Sequence, residues 1–189
     1  MVKEIGAYSV IPIEDRNVLW EVKEGSTLDF KFIKDVLKKF QPDVIVHLGE
    51  QPSSPHSMID VEHASFTYRN NVEGTLNLLW AIKEECPSVH LIKLGTMGEY
   101  GTPNIDIPEG FFEIEYRGRK DILPFPKQAN SFYHWTKVTD SQNIMFVCKI
   151  WGLRSTDINQ GPIYGTRIDE MDDDHRTRYD IDHVFGTVI

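Results

Sequence analysis

Tyr133 and Lys137, within Tyr-His-Trp-Thr-Lys, are the residues of this 189-residue chain best suited to chemistry. Four residues is about one helical turn, so in a helix both side chains share a face. An ammonium beside a phenol favours the phenolate, which lets the tyrosine act as a base well below its ordinary pKa of about 10. Upstream, Gly95-Thr96-Met97-Gly98-Glu99-Tyr100-Gly101 sets a hydroxyl-bearing residue in a glycine-rich loop. Together the two motifs suit removal of a proton from a sugar hydroxyl while a nicotinamide takes the hydride. A lone Tyr-x-x-x-Lys pair recurs by chance on helices, and Thr96 could do no more than cap a turn. The order of the elements around them favours catalysis.

Neighbouring residues could assist. His134 adjoins Tyr133 and could shuttle protons or hold an anion, or be an ordinary packed or exposed histidine. Met97 could be filler or an apolar wall at the reactive carbon. Lys127 reads as a solvated loop lysine and His47 as a satisfied core residue. Asn71 opens Asn-Val-Glu-Gly-Thr inside a helical pattern, where both Asn and Gly cost helix propensity. Either it holds backbone near a bound cofactor, or it lies on the surface while Gly74 permits close helix–sheet packing.

The elements that must position these groups follow from hydrophobic periodicity. Ile33, Val36, Leu37 and Phe40 recur at helical spacing between Asp29, a first-turn or N-cap residue, and Pro42. The run 43–48 is short, apolar and rich in β-branched residues, so it reads as a buried parallel strand ending at Gly49. A second helix carries Val72, Leu76, Leu79, Trp80 and Ile82. A second buried strand covers 89–94 and runs into Gly95-Thr96. A third helix starts near Ser131 and extends through Ile144 and Val147, and a third strand is expected over 151–158. Alternating helices and strands imply an α/β fold, a Rossmann-like parallel sheet with right-handed crossovers. Ligands of such sheets collect beyond the carboxyl ends of the strands. The loops 49–51, 95–101 and 159–164 should therefore meet at one cleft.

Composition narrows the classes. Hydrophobic residues make up 40% and charged residues 26%, ordinary for one globular domain. A net charge of −9 offers no basic stripe for a phosphate backbone, so no nucleic-acid partner is expected. Cys86 and Cys148 are far apart and lack metal-ligand spacing, which reads as two free thiols in a reducing compartment. No membrane span or signal peptide is evident, and a cytoplasmic location is expected. The stretch 169–182 is densely charged. Its aspartates and His175 could bind a metal, but it reads as a solvated, mobile loop, and no metal site is expected.

Asn-Val-Glu-Gly-Thr, a threonine after the next strand, and Tyr-x-x-x-Lys resemble the extended short-chain dehydrogenase/reductase superfamily. Longer stretches resemble its UDP-sulfoquinovose synthase family: His-Leu-Gly-Glu-Gln (47–51), the block 93–107, Leu-Pro-Phe-Pro-Lys-Gln-Ala (123–129), Ser-Phe-Tyr-His-Trp-Thr-Lys (131–137), and the stretches 157–165 and 184–187. The resemblance implies NAD-dependent oxidation of UDP-glucose at C4, loss of water across C5–C6, and addition of sulfite at C6. It implies that Thr96 and Tyr133 contact the 4-hydroxyl and that Lys137 tunes Tyr133. Gly49, Glu50, Gln51, Asn71, Tyr133, Lys137 and Gln160 would line the NAD site. Met97, Glu99, His134 and Asn159 would join Thr96 on the substrate side. The full-length protein would be a homodimer, with the helices from Met58 and Ser131 as its surfaces.

Nucleotide-sugar 4,6-dehydratases carry an Asp-Glu pair just after the loop threonine; here those positions are Met97 and Gly98. A dehydratase, an epimerase or a non-catalytic nucleotide-sugar-binding relative are the alternatives. Departures from the family are also present. The chain has no Gly-x-x-Gly-x-x-Gly to hold a pyrophosphate. Ser26 replaces the expected adenine-binding Asp, and Pro52 the Arg after Glu-Gln. The chain is therefore expected to be an internal fragment or truncated frame, with a partial NAD-binding domain over 1–165 and a charged loop and the start of a substrate-binding region over 166–189. Alone it is expected to bind NAD poorly and to turn over little.

Overall fold

Helix α1, Phe30–Phe40, starts where Asp29 caps it: the carboxylate accepts from Phe32 N at 2.9 Å. It ends at Gln41, which adopts a left-handed conformation, with Pro42 preventing continuation. Ile33 and Leu37 bury the apolar stripe, whereas Phe40 stays exposed. A computed structural model describes residues 6–8 (backbone only), 23–108 and 110–161.

Three parallel strands form the sheet in the order β3 (Val44–His47), β4 (His90–Thr96) and β7 (Arg154–Gln160). The register pairs Ile45 with Leu91 and Ser155, and His47 with Lys93 and Asp157. Between β3 and β4 run α2 (Val61–Tyr68), one wide turn of π geometry (Arg69–Glu73) and α3 (Gly74–Glu85). Helix α4, Phe132–Trp151, precedes β7. α1 packs on α3, and both α2 and α3 pack on α4. Ile45, Leu91, Leu78, Ile82, Ile144 and Val147 meet in the core between these helices and the sheet.

The strands differ from their expected burial on both faces. Ile45 and His47 are buried, but Val44 and Val46 are 49% and 46% exposed. An apolar β-branched run looks the same whether one face or two is covered, because periodicity reports side-chain type and not the neighbour. The third strand also begins later than expected, since α4 continues to Trp151 and stops at Gly152 with φ +71°. A hairpin outside the expected elements, β5 (Phe111–Tyr116) with β6 (Arg119–Pro124), leaves the body after the Thr96 loop. Arg117 and Gly118, both at positive φ, make its turn. A short antiparallel pair, β1 (Gly6–Tyr8) with β2 (Lys23–Gly25), precedes α1.

The covered face of the sheet changes character along the strands. Ile45 and Leu91 are apolar; His47, Lys93 and Asp157, nearer the carboxyl ends, are polar. The candidate site lies at that polar end. The expected metal-free loop over 169–182, the boundary at 165/166 and the motif at 184–187 lie outside the described residues.

Candidate active site

Thr96 is the last residue of β4 and the N-cap of a single 3₁₀ turn, Met97–Tyr100. Its hydroxyl oxygen accepts from Gly98 N at 3.1 Å, and the Glu99 carboxylate accepts from Thr96 N at 3.5 Å, a reciprocal capping box. Thr96 thus caps a turn, yet its own hydroxyl proton remains available to a ligand oxygen. The turn closes at Gly101, where φ is +65° and a Cβ would stand 2.1 Å from the Gln128 carbonyl oxygen, so only glycine fits.

Helix α4 opens at Ser131, whose hydroxyl accepts from His134 N at 3.2 Å. Tyr133 and Lys137 share a face, with the Lys137 ammonium 5.9 Å from the Tyr133 ring centre. Tyr133 N donates to the buried Ser57 hydroxyl at 3.0 Å, which ties the start of α4 to the loop after β3. Lys137 Nζ donates to the Leu94 carbonyl at 2.7 Å and lies 2.5 Å from Glu50 Oε2, both side chains being almost wholly buried. Glu50 therefore faces the lysine, and its carboxylate offsets part of the field that Lys137 exerts on Tyr133.

Asn71 is wholly buried in the π turn. Its amide oxygen accepts from Gln51 N at 2.8 Å, and its amide nitrogen donates to Gln51 O at 3.1 Å and Thr136 Oγ1 at 3.0 Å. Asn71 thus pairs with backbone as a neighbouring strand would and clamps the 49–51 loop to α4. This rules out the surface placement. Gly74 serves close packing, but against the turn before α1 rather than the sheet: a Cβ there would lie 2.5 Å from Thr27 Oγ1.

His134 is half-buried, and its Nδ1 lies 3.0 Å from the Ser131 hydroxyl. Burial holds its pKa below the usual histidine value, with Glu99 acting in the opposite direction. Its ring lies over Gly98, where a Cβ would be only 2.3 Å from Nε2. Met97 is exposed, and the Asn159 amide donates to Tyr100 OH at 3.1 Å. Gln160 ends β7 opposite Thr96. Gly49, two residues past His47, lies against Thr27. Among the substrate-side candidates Glu99 is the one fully buried, against Lys93, Lys127 and Ser141. Lys127 is accordingly no solvated loop lysine; it forms an ion pair with Glu99 and is only 15% exposed.

Sequence reasoning missed Lys93, Ser141, Asp140 and Asp157. One lysine inside the apolar run 89–94 was the available signal, and Ser141 lies four residues beyond Lys137. Burial, and then the nearby Glu50 carboxylate, push the Asp140 carboxyl well above the usual range. His47 is wholly buried with Nε2 3.0 Å from Thr75 Oγ1, while its Nδ1 has no partner in the described structure. Among the described residues no helix is long and apolar enough to cross a membrane.

The chain is 51% identical over 98% of its length to a chloroplastic UDP-sulfoquinovose synthase of Spinacia oleracea. It is 42% identical over 99% of its length to a UDP-sulfoquinovose synthase of Sulfolobus acidocaldarius. It spans about half the length of these relatives, 41% and 51% respectively. Among solved structures it resembles a UDP-glucose 4-epimerase from Brucella ovis in complex with NAD. That match has a TM-score of 0.62 at 24% identity, covering 78% of this chain and 40% of the other, a likeness of fold. A parallel sheet with its polar loops gathered at the strand ends agrees with the family whose model matches residues 4–182: the chain belongs to the NAD dependent epimerase/dehydratase family.

Proposed function

We propose that the protein carrying this chain converts UDP-glucose and sulfite to UDP-sulfoquinovose with NAD. The observation that carries this reading over a 4,6-dehydratase is the pair of residues that follows Thr96. A dehydratase needs two carboxylates there; this chain has Met97 and Gly98, and the His134 imidazole lies over Gly98. The identities of 51% and 42% to proteins named for the sulfite reaction support the same choice.

The described residues fit the nicotinamide end of the cofactor: three strand ends converge there, and buried Asn71 fixes the Gln51 backbone beside them. Tyr133, Lys137, the loop Gly49–Gln51 and Gln160 would hold that end. Bound NAD supplies the acceptor for the C4 hydride and returns it in the last step. Tyr133 takes the proton of the 4-hydroxyl, Thr96 donates to the same oxygen, and Lys137 favours the phenolate. The C4 ketone acidifies C5–H; water leaves across C5–C6, and sulfite adds at C6 of the enone. His134, beside Tyr133 and over Gly98, is the group placed to pass a proton or to hold the incoming anion. Met97 gives that end an apolar wall.

We also propose a homodimer, since α4 exposes Phe132, Trp135 and Phe146 and α2 exposes Val61 and Tyr68. Sedimentation as a monomer at working concentration would exclude it. The reaction itself is tested with UDP-glucose, NAD and sulfite on the longest expressed polypeptide that carries this sequence. The expected product is a sulfonated nucleotide sugar. Appearance of UDP-4-keto-6-deoxyglucose in its place would identify a dehydratase.

A further inference from the structure

We propose that Lys93 is a positioning residue of the site, its buried ammonium fixing the Thr96 turn through Glu99 and helix α4 at the Lys137 carbonyl. This rests on the reading of Thr96, Tyr133 and Lys137 as the reacting groups.

Lys93 occupies a core position of β4, between Leu91 and Gly95 on the covered face, and is 0% exposed. A methionine or leucine would fill that volume without desolvating a charge. Instead, each of the three ammonium donors has an acceptor: Ser141 Oγ at 2.8 Å, the Lys137 carbonyl at 3.0 Å and Glu99 Oε1 at 3.3 Å. Asp157 Oδ1 lies 3.5 Å away. Burial alone would lower its pKa, but Glu99, Asp157, Asp140 and Glu50 outweigh burial and keep it above the usual lysine value.

The acceptors belong to three separate elements. Glu99 lies in the turn capped by Thr96 and accepts from Thr96 N, so one carboxylate links the ammonium to the backbone of Thr96. The Lys137 carbonyl and Ser141 lie on α4, and Asp157 on β7. The Ser141 hydroxyl is 2.9 Å from Glu99 and 2.5 Å from Asp157, and its single proton serves either carboxylate. Glu99 is held from the other side by Lys127. Two cations thus balance two carboxylates directly beneath the loop, Lys93 and Glu99 shut off from water and Lys127 and Asp157 partly exposed. Gly95 makes room for it: a Cβ there would stand 2.5 Å from Asn159 Oδ1, 2.6 Å from Asp157 Oδ1 and 3.0 Å from Glu99 Oε1. Lys93 is therefore one hydrogen bond from the main chain of Lys137 and two from that of Thr96.

The test compares wild type, Lys93→Met and Lys93→Met/Glu99→Gln. The double variant removes one charge of each sign and leaves one of each in the cluster, Lys127 and Asp157. With UDP-glucose and no sulfite, the absorbance of reduced nicotinamide reads the first half-reaction. Both variants should reduce NAD about 10- to 100-fold more slowly, with the KM for UDP-glucose nearly unchanged. The double variant should regain thermal stability lost by the single one without regaining rate. Amide exchange should quicken in peptides spanning 95–101 and 137–141 and stay unchanged over 76–82. Wild-type rate in Lys93→Met, or rate returning together with stability in the double variant, would overturn the proposal. Exchange that is unchanged or raised uniformly would do the same. If wild type reduces no NAD with UDP-glucose, the functional reading fails instead, and the exchange pattern alone decides the role of Lys93.

Discussion

Gly98 and His134 constrain each other. With a Cβ at 98 placed 2.3 Å from Nε2, any other residue must push the imidazole aside. The imidazole is the free end of a side chain and can swing away, so the fold tolerates the change while the position of the ring does not. Gly98→Ala should accordingly lower the proposed sulfosugar formation by about 100-fold while leaving the melting temperature nearly unchanged, measured as kcat beside thermal unfolding. At this scale the sequence was most readable where chemistry depends on neighbours in the chain. Tyr133 and Lys137 share a face because helical spacing requires it, and Thr96 ends a strand because the apolar run before it stops. The partners of Lys137 were not readable. Glu50 reaches it from a different strand end, 87 positions earlier in the chain, and no local period encodes that meeting.

Among the elements, the helical segment between β3 and β4 carries the main surprise. The sequence supports one amphipathic helix there, and a helix does run through it, but a π turn at Arg69–Glu73 interrupts it. One extra residue in a turn re-aims a side chain inward, and here the residue inside is Asn71. Asn71→Ala leaves the Gln51 peptide and the Thr136 hydroxyl without their buried partner. It should cost about 2 to 3 kcal/mol in urea denaturation. Asn77 makes a single bond to the Thr27 carbonyl at 3.0 Å, and Asn77→Ala, at about 1 kcal/mol, is the matching control. The cost of Asn and Gly to helix propensity was visible in the sequence; which backbone the asparagine would hold was not. The hairpin β5–β6 escaped for a different reason. Phe112, Ile114 and Tyr116 do alternate with Glu113 and Glu115 ahead of the Arg117-Gly118 turn, but both strands are exposed along nearly all their length, so the alternation marks no buried face.

For the whole molecule, a polar layer beneath the strand ends couples the fold to pH. Burial holds His47 neutral and lowers its pKa from 6.5 to about 4, the pull of Glu50 notwithstanding. The unfolded chain therefore binds a proton near pH 6.5 that the folded chain takes up only near 4. Stability from this group is complete above the upper value and is lost as pH falls to the lower, about 3 kcal/mol in all. Asp140 acts in the opposite sense: its raised pKa favours the protonated carboxyl inside, so its share declines as pH rises above the usual carboxylate range. The two overlap, so the test is a difference. Relative to His47→Gln, wild type should lose about 3 kcal/mol of unfolding free energy between pH 6.5 and pH 4, read from urea titrations across that range. A constant difference would refute it.

Sequence alone determined the alternation of strands and helices and the Tyr133–Lys137 face. Each follows from side chains a few positions apart, whose spacing the helix and strand periods translate directly into geometry. Tertiary structure alone decided which charges meet. Lys93, Glu99, Lys127, Ser141 and Asp157 come from β4, its following turn, a later loop, α4 and β7. Their meeting depends on strand order, register and a glycine at 95 that leaves them room. Lys127 and Glu99 looked like surface and substrate residues because charge normally seeks water. Packing reversed that by bringing the opposite charges into reach, so that the cluster is neutral and hydrogen-bonded where it is dry.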